Sequence, residues 1–334
     1  MLKLDIYTNY LKWRNEVPHK MKKTAKYLII CLLISSIFAC FPACGSSEAA
    51  GGTAAEAEAP ADETVERYKV PKFRGANFHE EESYGNDEVL VDTSRSDKGF
   101  FGIHCVSDKK IKVQVFKDDE VYTYDVVTGK DQIYPFQLGD GNYTIKVMKN
   151  IADTKYSELY ATSVYVELED EFDPFLRPSQ YADYTKESAC VLKADELAAE
   201  STDANDFITN VFKFVCKKVK YDKKKAETVQ SGYIPDPDET MNTGKGICID
   251  YASLAAAMLR SHGIPTKIIF GYVGENGDLY HAWNMYYTKE SGWVAVEFEV
   301  HEDEWNRLDL TFSANGSDSR FIGDGSNYMD VFQY

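Results

Sequence analysis

The sequence predicts an α+β fold in which a β-rich region precedes a region of helices and strands. Three observations carry this. Between Phe100 and Leu168 apolar and polar residues alternate at period two, the pattern of half-buried strands. Beyond Pro174 and Pro178 the period changes, and Phe207, Ile208, Val211, Phe212, Val215 and Val219 form a helical stripe. Finally, the alanine-rich segment Ala252 to Leu259 is followed by apolar, strand-like runs. With 334 residues and 44% hydrophobic content, the chain has enough material for two domains.

Residues 1–44 read as an address. Met21-Lys22-Lys23-Thr24-Ala25-Lys26 is basic, and the apolar run that follows, Tyr27 to Phe41, is shorter than the ~20 residues of a membrane span, as in a secretory signal. Met21 is a candidate start, because residues 1–20 are polar and add nothing that a signal needs. Ile37-Phe38-Ala39-Cys40 resembles the bacterial lipobox, whose cysteine becomes lipid-modified, with Phe41-Pro42-Ala43-Cys44 as the alternative. The expectation is an exported protein held by lipid at the outer face of the bacterial cell membrane. Residues 45–66 are rich in Ala, Gly, Glu and Ser and are expected to form a disordered stalk.

The charge is uneven. Of 37 basic and 54 acidic residues, residues 1–44 hold seven and two, which leaves 30 basic against 52 acidic in the remainder. A chain this acidic is not expected to bind nucleic acid. The seven cysteines form no CxxC pair, so neither a zinc ribbon nor a thioredoxin-type site is indicated. Cys190 and Cys216 fall in neighbouring predicted helices and are expected to be separate buried thiols.

In the β-rich region, residues 67–175, Ile111, Val113 and Val115, then Tyr143, Ile145 and Val147, then Val164, Val166 and Leu168 mark strands separated by turns at Thr128-Gly129-Lys130 and Gly139-Asp140-Gly141-Asn142. A small antiparallel β-sandwich buries such faces most simply. His79, His104 and Cys105 have no chemical partners in sequence and are expected to serve packing or surface. The acidic run Glu167 to Asp173 lacks the spacing of a calcium loop and reads as a solvated linker.

Residues 176–334 form the second region. A weakly amphipathic segment, Tyr184 to Glu200, precedes the striped helix, whose start Ser201, Thr202 or Asp203 can cap. A long irregular segment then runs to Lys245, a candidate wall of a cleft. Cys248 follows Gly244 and Gly246 and opens a helix that ends at His262-Gly263-Ile264-Pro265, where Gly263 suits the left-handed position and Pro265 stops the helix. In the first helical turn the free N–H groups and the dipole favour an anion, so the Cys248 thiol is expected to ionise more readily than a free one. The two glycines would let a substrate backbone approach it. His262 is expected to interact with the negative end of the helix dipole.

Downstream, His281 opens the strand-like run His281-Ala282-Trp283-Asn284, after one strand and a turn. An imidazole facing a thiol gives the activated nucleophile of cysteine hydrolases and acyltransferases. A third group must orient the imidazole. Glu297 and Glu299 lie across a simple hairpin from His281, and Asp309 lies on a later strand; geometry alone leaves these open.

The blocks Gly246-Ile247-Cys248-Ile249-Asp250-Tyr251-Ala252, Leu259 to Pro265 and His281 to Asn284 together resemble the transglutaminase-like superfamily of papain-fold cysteine enzymes, over about Tyr184 to Phe312. The resemblance implies a papain-like catalytic domain with Cys248 as nucleophile and His281 as base. Asp309-Leu310-Thr311-Phe312 looks like the third block, with Leu310 in place of the usual proline, so Asp309 is the implied third member and Glu297 its alternative. An oxyanion would be held by the Cys248 N–H and a side chain of the preceding loop, Gln230 or Tyr233. No cofactor or metal is expected. The expected activity is acyl transfer or amide hydrolysis on cell-surface proteins or peptides. The rival expectation is a non-catalytic binding or scaffold lipoprotein on the same fold.

Overall fold

The period-two sequence becomes antiparallel strands in the computed structural model, which describes residues 67–273, 279–296 and 329–334. Cys40, Cys44, Glu297, Glu299 and Asp309 lie outside the described residues. Eight strands come first: β1 (Tyr84–Gly85), β2 (Val89–Asp92), β3 (Phe100–Cys105), β4 (Ile111–Lys117), β5 (Glu120–Val126), β6 (Asp131–Pro135), β7 (Gly141–Ala152) and β8 (Lys155–Val166). They form two four-stranded sheets, ordered β1-β2-β3-β6 and β5-β4-β7-β8, with every pairing antiparallel. The inward residues of both sheets, among them Val91, Phe101, Ile103, Val113, Val115 and Ile145, belong to one buried cluster, so the sheets enclose a common core. Tyr124 meets Tyr134 edge-on at 4.9 Å, and Phe136 meets Tyr143 at 4.8 Å, across that interface. His79 and His104 are absorbed locally, paired with Asp92 and Asp131 at 3.0 and 2.7 Å.

The acidic run after β8 keeps Glu167, Glu169 and Glu171 exposed, as expected, but its end is not solvated. Asp173 is buried, at 2% exposure, and receives Arg74 at 2.6 Å and Arg177 at 3.1 Å; Asp170 receives Arg74 as well. Arg177 lies four residues on, but Arg74 comes from far back in the sequence and makes this a folded junction that spacing alone does not reveal.

Five helices follow: α1 (Ala189–Glu200), α2 (Ala204–Lys218), α3 (Lys223–Thr228), α4 (Pro237–Thr243) and α5 (Cys248–Ser261). Asp203 is the residue that caps α2, its carboxylate accepting the Asp206 N–H at 2.9 Å. The segment expected to be irregular contains α3 and α4, each started by an aspartate, Asp222 and Asp236, that accepts a backbone N–H three residues on. The short parallel strands β9 (Lys220–Tyr221) and β10 (Lys245–Gly246) close this excursion. The last sheet is antiparallel in the order β13-β12-β11-β14, built from β11 (Thr266–Val273), β12 (Leu279–Thr288), β13 (Gly292–Val296) and β14 (Met329–Gln333).

Helix α5 is the centre of this arrangement. All residues from Ile249 to Ser261 are buried, so the helix has no solvent face, as its run of small residues permits. One side, with Tyr251, Leu254, Ala255, Met258 and Leu259, packs against Cys190, Leu197, Phe207, Val211 and Val215 of α1 and α2. The opposite side, with Ile249, Ala252 and Ala256, joins Ile268 and Ala282 of the last sheet in the same cluster as the first two sheets. Aromatic rings seal the join: Tyr334 lies 4.7 Å from Tyr181, and 5.3 Å from both Tyr124 and Phe270. Arg260 is 1% exposed and donates to Thr266 O (2.7 Å), Ser179 Oγ (3.1 Å), Arg177 O (3.2 Å) and Tyr334 O (2.9 Å). Burial lowers its guanidinium to about 10, and these acceptors offset the loss of water.

The helix ends as expected. Gly263 adopts φ +79°, Gly263 N–H returns to Arg260 O and Ile264 N–H to Leu259 O, which is a Schellman closure. A Cβ at Gly263 would also lie 2.5 Å from Pro71 Cγ. His262 sits at the helix end as expected, where the Met258 carbonyl favours its charged form, and it has further partners. It is buried, with Nε2 on Asp195 Oδ1 at 3.0 Å, Nδ1 on Ser261 Oγ at 2.9 Å and the ring 5.1 Å from Phe207. Tyr68 donates to the His262 carbonyl at 2.7 Å and stacks on Phe207, so the segment entering the fold is fastened over the helix end.

Gly263→Ala is expected to destabilise the protein by about 2 kcal/mol, from the left-handed backbone and the Pro71 contact, read as a lower urea midpoint at unchanged slope. Burial holds the His262 imidazole below its ordinary 6.5. The unfolded chain therefore binds a proton that the folded one resists, and stability falls as pH drops below the unfolded value. Melting of His262→Asn between pH 7 and 5 should fall less steeply than that of the wild type; an equal slope would remove His262 from the pH response.

Candidate active site

Cys248 is the first residue of α5, with Ile247 as the N-cap. Ile247 has no side-chain acceptor, so the reciprocal capping box is reduced to its return half: the carboxylate of Asp250 accepts the Ile247 N–H at 2.8 Å. Asp250 is fully buried. Its Oδ1 accepts the Tyr233 hydroxyl at 2.6 Å and its Oδ2 lies 2.7 Å from Lys225 Nζ. Lys225 Nζ also donates to the Tyr233 oxygen at 2.6 Å and sits 4.4 Å from that ring's centre. Gly246 is buried and faces this carboxylate: a Cβ there would lie 2.5 Å from Asp250 Cβ. Its smallness therefore admits the cap rather than a substrate backbone, and Gly244, at φ +62°, ends α4.

The half-buried thiol of Cys248 lies against β12. The backbone N–H groups of Ala282 and Ile249 favour its ionised form, which puts the sulfur beside the strand position next to His281. His281 is half-buried and pairs in register with Gly271 of β11. Asn284, two residues beyond Ala282, donates to Ala252 O of α5 at 3.0 Å and fixes strand to helix. On the other face of the strand Trp283 clusters with Ile269, Met285 and Ala295. Two tyrosines complete the surroundings. Tyr221 of β9 and Tyr280 of β12 are both raised by burial, Tyr280 to about 12, and in both the nearby Cys248 sulfur adds to the rise. Tyr280 leads outward, 51% exposed, beside Phe270 and Tyr272.

The charge state differs from the sequence expectation. Burial pushes the Cys248 thiol up, ahead of the backbone donors that pull it down, and the Asp250 carboxylate pushes it up further. Helix position alone therefore does not make this thiol more acidic than a free one. Cys105 and Cys190 are raised by burial as well, Cys105 to about 11, and both are free thiols.

Of the residues singled out in the sequence, the structure brings Cys248 to the strand of His281. The Tyr233 hydroxyl is engaged with Asp250, and Gln230 is exposed with its amide donating to Thr228 O at 2.8 Å. Asp309 and Glu297 lie outside the described residues. Sequence reasoning missed Tyr221, Tyr280, Asp250 and Lys225. Asp250, three residues after a cap position that cannot cap itself, carried a readable signal; the tyrosines meet the thiol only through tertiary folding.

Residues 193–298 match the family model of the transglutaminase-like superfamily. The UPF0252 protein of Methanocaldococcus jannaschii is 37% identical over 67 residues, 19% of this chain and 19% of that protein. A protein-glutamine gamma-glutamyltransferase of Pseudomonas aeruginosa is 34% identical over 73 residues, 18% of this chain and 11% of that one. The chain thus spans about a fifth and about a tenth of the lengths of these relatives. A crystal structure from Cytophaga hutchinsonii, provisionally classed as a cysteine protease, overlaps 77% of this chain and 80% of its own, at 17% identity and a TM-score of 0.36. The α5 segment with its cysteine and the β12 strand with its histidine both fall inside the matched stretch, and the chain contains a transglutaminase-like domain.

Proposed function

We propose that the protein is a cell-surface enzyme that performs thiol-dependent acyl transfer or amide hydrolysis on protein or peptide substrates. The observation that supports this is the Cys248 sulfur at the first residue of α5, against the Ala282 N–H and so next to His281. His281 takes the thiol proton, and the thiolate attacks an amide carbonyl. The resulting oxyanion is met by the Cys248 N–H at the helix start. As the C–N bond breaks, His281 returns the proton to the leaving amine. Water or a second amine then attacks the thioester and releases the acyl group. Asp309 orients the imidazole, with Glu297 as the alternative. Burial pushes the thiol up, and an ion pair with the imidazole is what makes the nucleophile. Export and attachment through a lipid on Cys40, or Cys44, place the reaction at the outer face of the membrane.

The raised thiol also favours a second reading, a non-catalytic binding or scaffold lipoprotein on the same fold. Iodoacetamide separates the two. In the enzyme, Cys248 is alkylated faster than Cys105, Cys190 and Cys216, and His281→Ala removes the advantage; equal, slow labelling of all four supports the scaffold. With an amine probe and cell-surface proteins, the full chain should attach the probe if an amine is the acceptor, or cleave without labelling if water is. Cys248→Ala should lower either activity by about a thousandfold. Activity unchanged in Cys248→Ala would remove the cysteine mechanism.

A further inference from the structure

The cluster of Asp250, Tyr233 and Lys225 has no part in the attack itself, yet it joins the start of α5 to the segment between β9 and α4. Asp250 has a fixed duty, because the Ile247 N–H is met by its carboxylate and Ile247 cannot supply an acceptor of its own. That duty places a buried negative charge two residues from the sulfur. A like charge so close opposes a thiolate, and little water is present to screen it. The Lys225 ammonium, 2.7 Å from Oδ2, is the counter-charge, and α3 is built to deliver it: Asp222 caps that helix by accepting the Lys225 N–H at 2.9 Å, while Asp222 N–H holds Gly246 O at 2.9 Å.

We propose that Lys225 is a positioning residue of the thiol site: its ammonium cancels the charge of the buried Asp250 carboxylate beside Cys248 and, with Tyr233, holds residues 222–236 next to the thiol. The inference rests on Cys248 as nucleophile. The titratable groups that bear on the sulfur are Asp250 on its own helix, Tyr221 on β9, and Tyr280 with the neighbouring His281 on β12. Of these, Asp250 is the group whose charge Lys225 offsets. The Asp250 carboxylate also accepts the Ile247 N–H and the Tyr233 hydroxyl, so its place beside the helix start does not depend on Lys225 alone.

The test is the pH profile of Cys248 alkylation by iodoacetamide in the full chain, read by peptide mass spectrometry. Lys225→Met keeps the aliphatic stem and removes the charge. It is expected to move the midpoint up by about one pH unit, with alkylation at neutral pH about tenfold slower. Lys225→Arg should retain the wild-type midpoint. Lys225→Met combined with Asp250→Asn should return it toward wild type, which a packing role would not do. Asp250→Asn alone leaves the ammonium without its anion and should lower the midpoint, so the idea stays testable if Lys225→Met does not fold. A Lys225→Met profile that overlays the wild type, a double variant shifted as far as Lys225→Met, or an Asp250→Asn profile that does not fall would overturn it. Wild-type Cys248 labelling no faster than the other thiols would instead count against the nucleophile reading, while the variant comparison would still report the charge coupling.

Discussion

A helix with no solvent face is the constraint on which the rest depends. Because α5 is buried from Ile249 to Ser261, every neighbour must accept its surface: α1 and α2 on one side, the last sheet on the other. Small residues let these partners approach closely, and the charge of Arg260 inside is tolerated because carbonyl and hydroxyl oxygens from three separate segments converge on it. The helix end is fastened by Gly263, His262 and Tyr68. Only its first residue reaches the edge of this packing, and that residue is Cys248.

The site that results is a compromise between capping and reactivity. A helix start offers donors that suit a thiolate, but it must also satisfy its own N–H groups. Here a carboxylate does so, and the same carboxylate raises the neighbouring thiol. Burial adds to that effect. The reactivity of such a cysteine is therefore decided by its partners rather than by its place on the helix, and α3 and β12 are the elements that supply them.

Much of the fold could be read from residue patterns. The alternation around Val113, Ile145 and Val164 corresponds to β4, β7 and β8, and the stripe from Phe207 to Val215 is the buried face of α2. Pattern failed where long-range polar contacts decide the outcome. Asp173 is buried at the end of a run that reads as solvated because Arg74 cannot be matched to it by spacing, and α3 and α4 are hidden in a polar segment whose caps are local but whose packing is not. At the site, Cys248 and His281 were legible as residue types in order. Tyr221, Tyr280 and Lys225 were not, since each meets the cysteine or its cap through a strand or helix whose placement only tertiary structure determines. Gly246 was read as an opening for substrate, whereas its missing side chain makes room for Asp250.

The order of strands in the last sheet bears on how the molecule comes into being. β11 lies between β12, which follows it closely, and β14, whose Phe332 pairs with Phe270 from far along the chain. Tyr334 then enters the aromatic join and accepts from Arg260. Contacts of such long sequence separation close slowly, since the entropy of the intervening loop must be overcome before they contribute. The floor beneath α5 thus includes residues brought from far along the chain. The surroundings of the cysteine are therefore assembled from segments that the chain supplies both before and after α5, and the chemical identity of the thiol belongs to the whole fold rather than to its own segment.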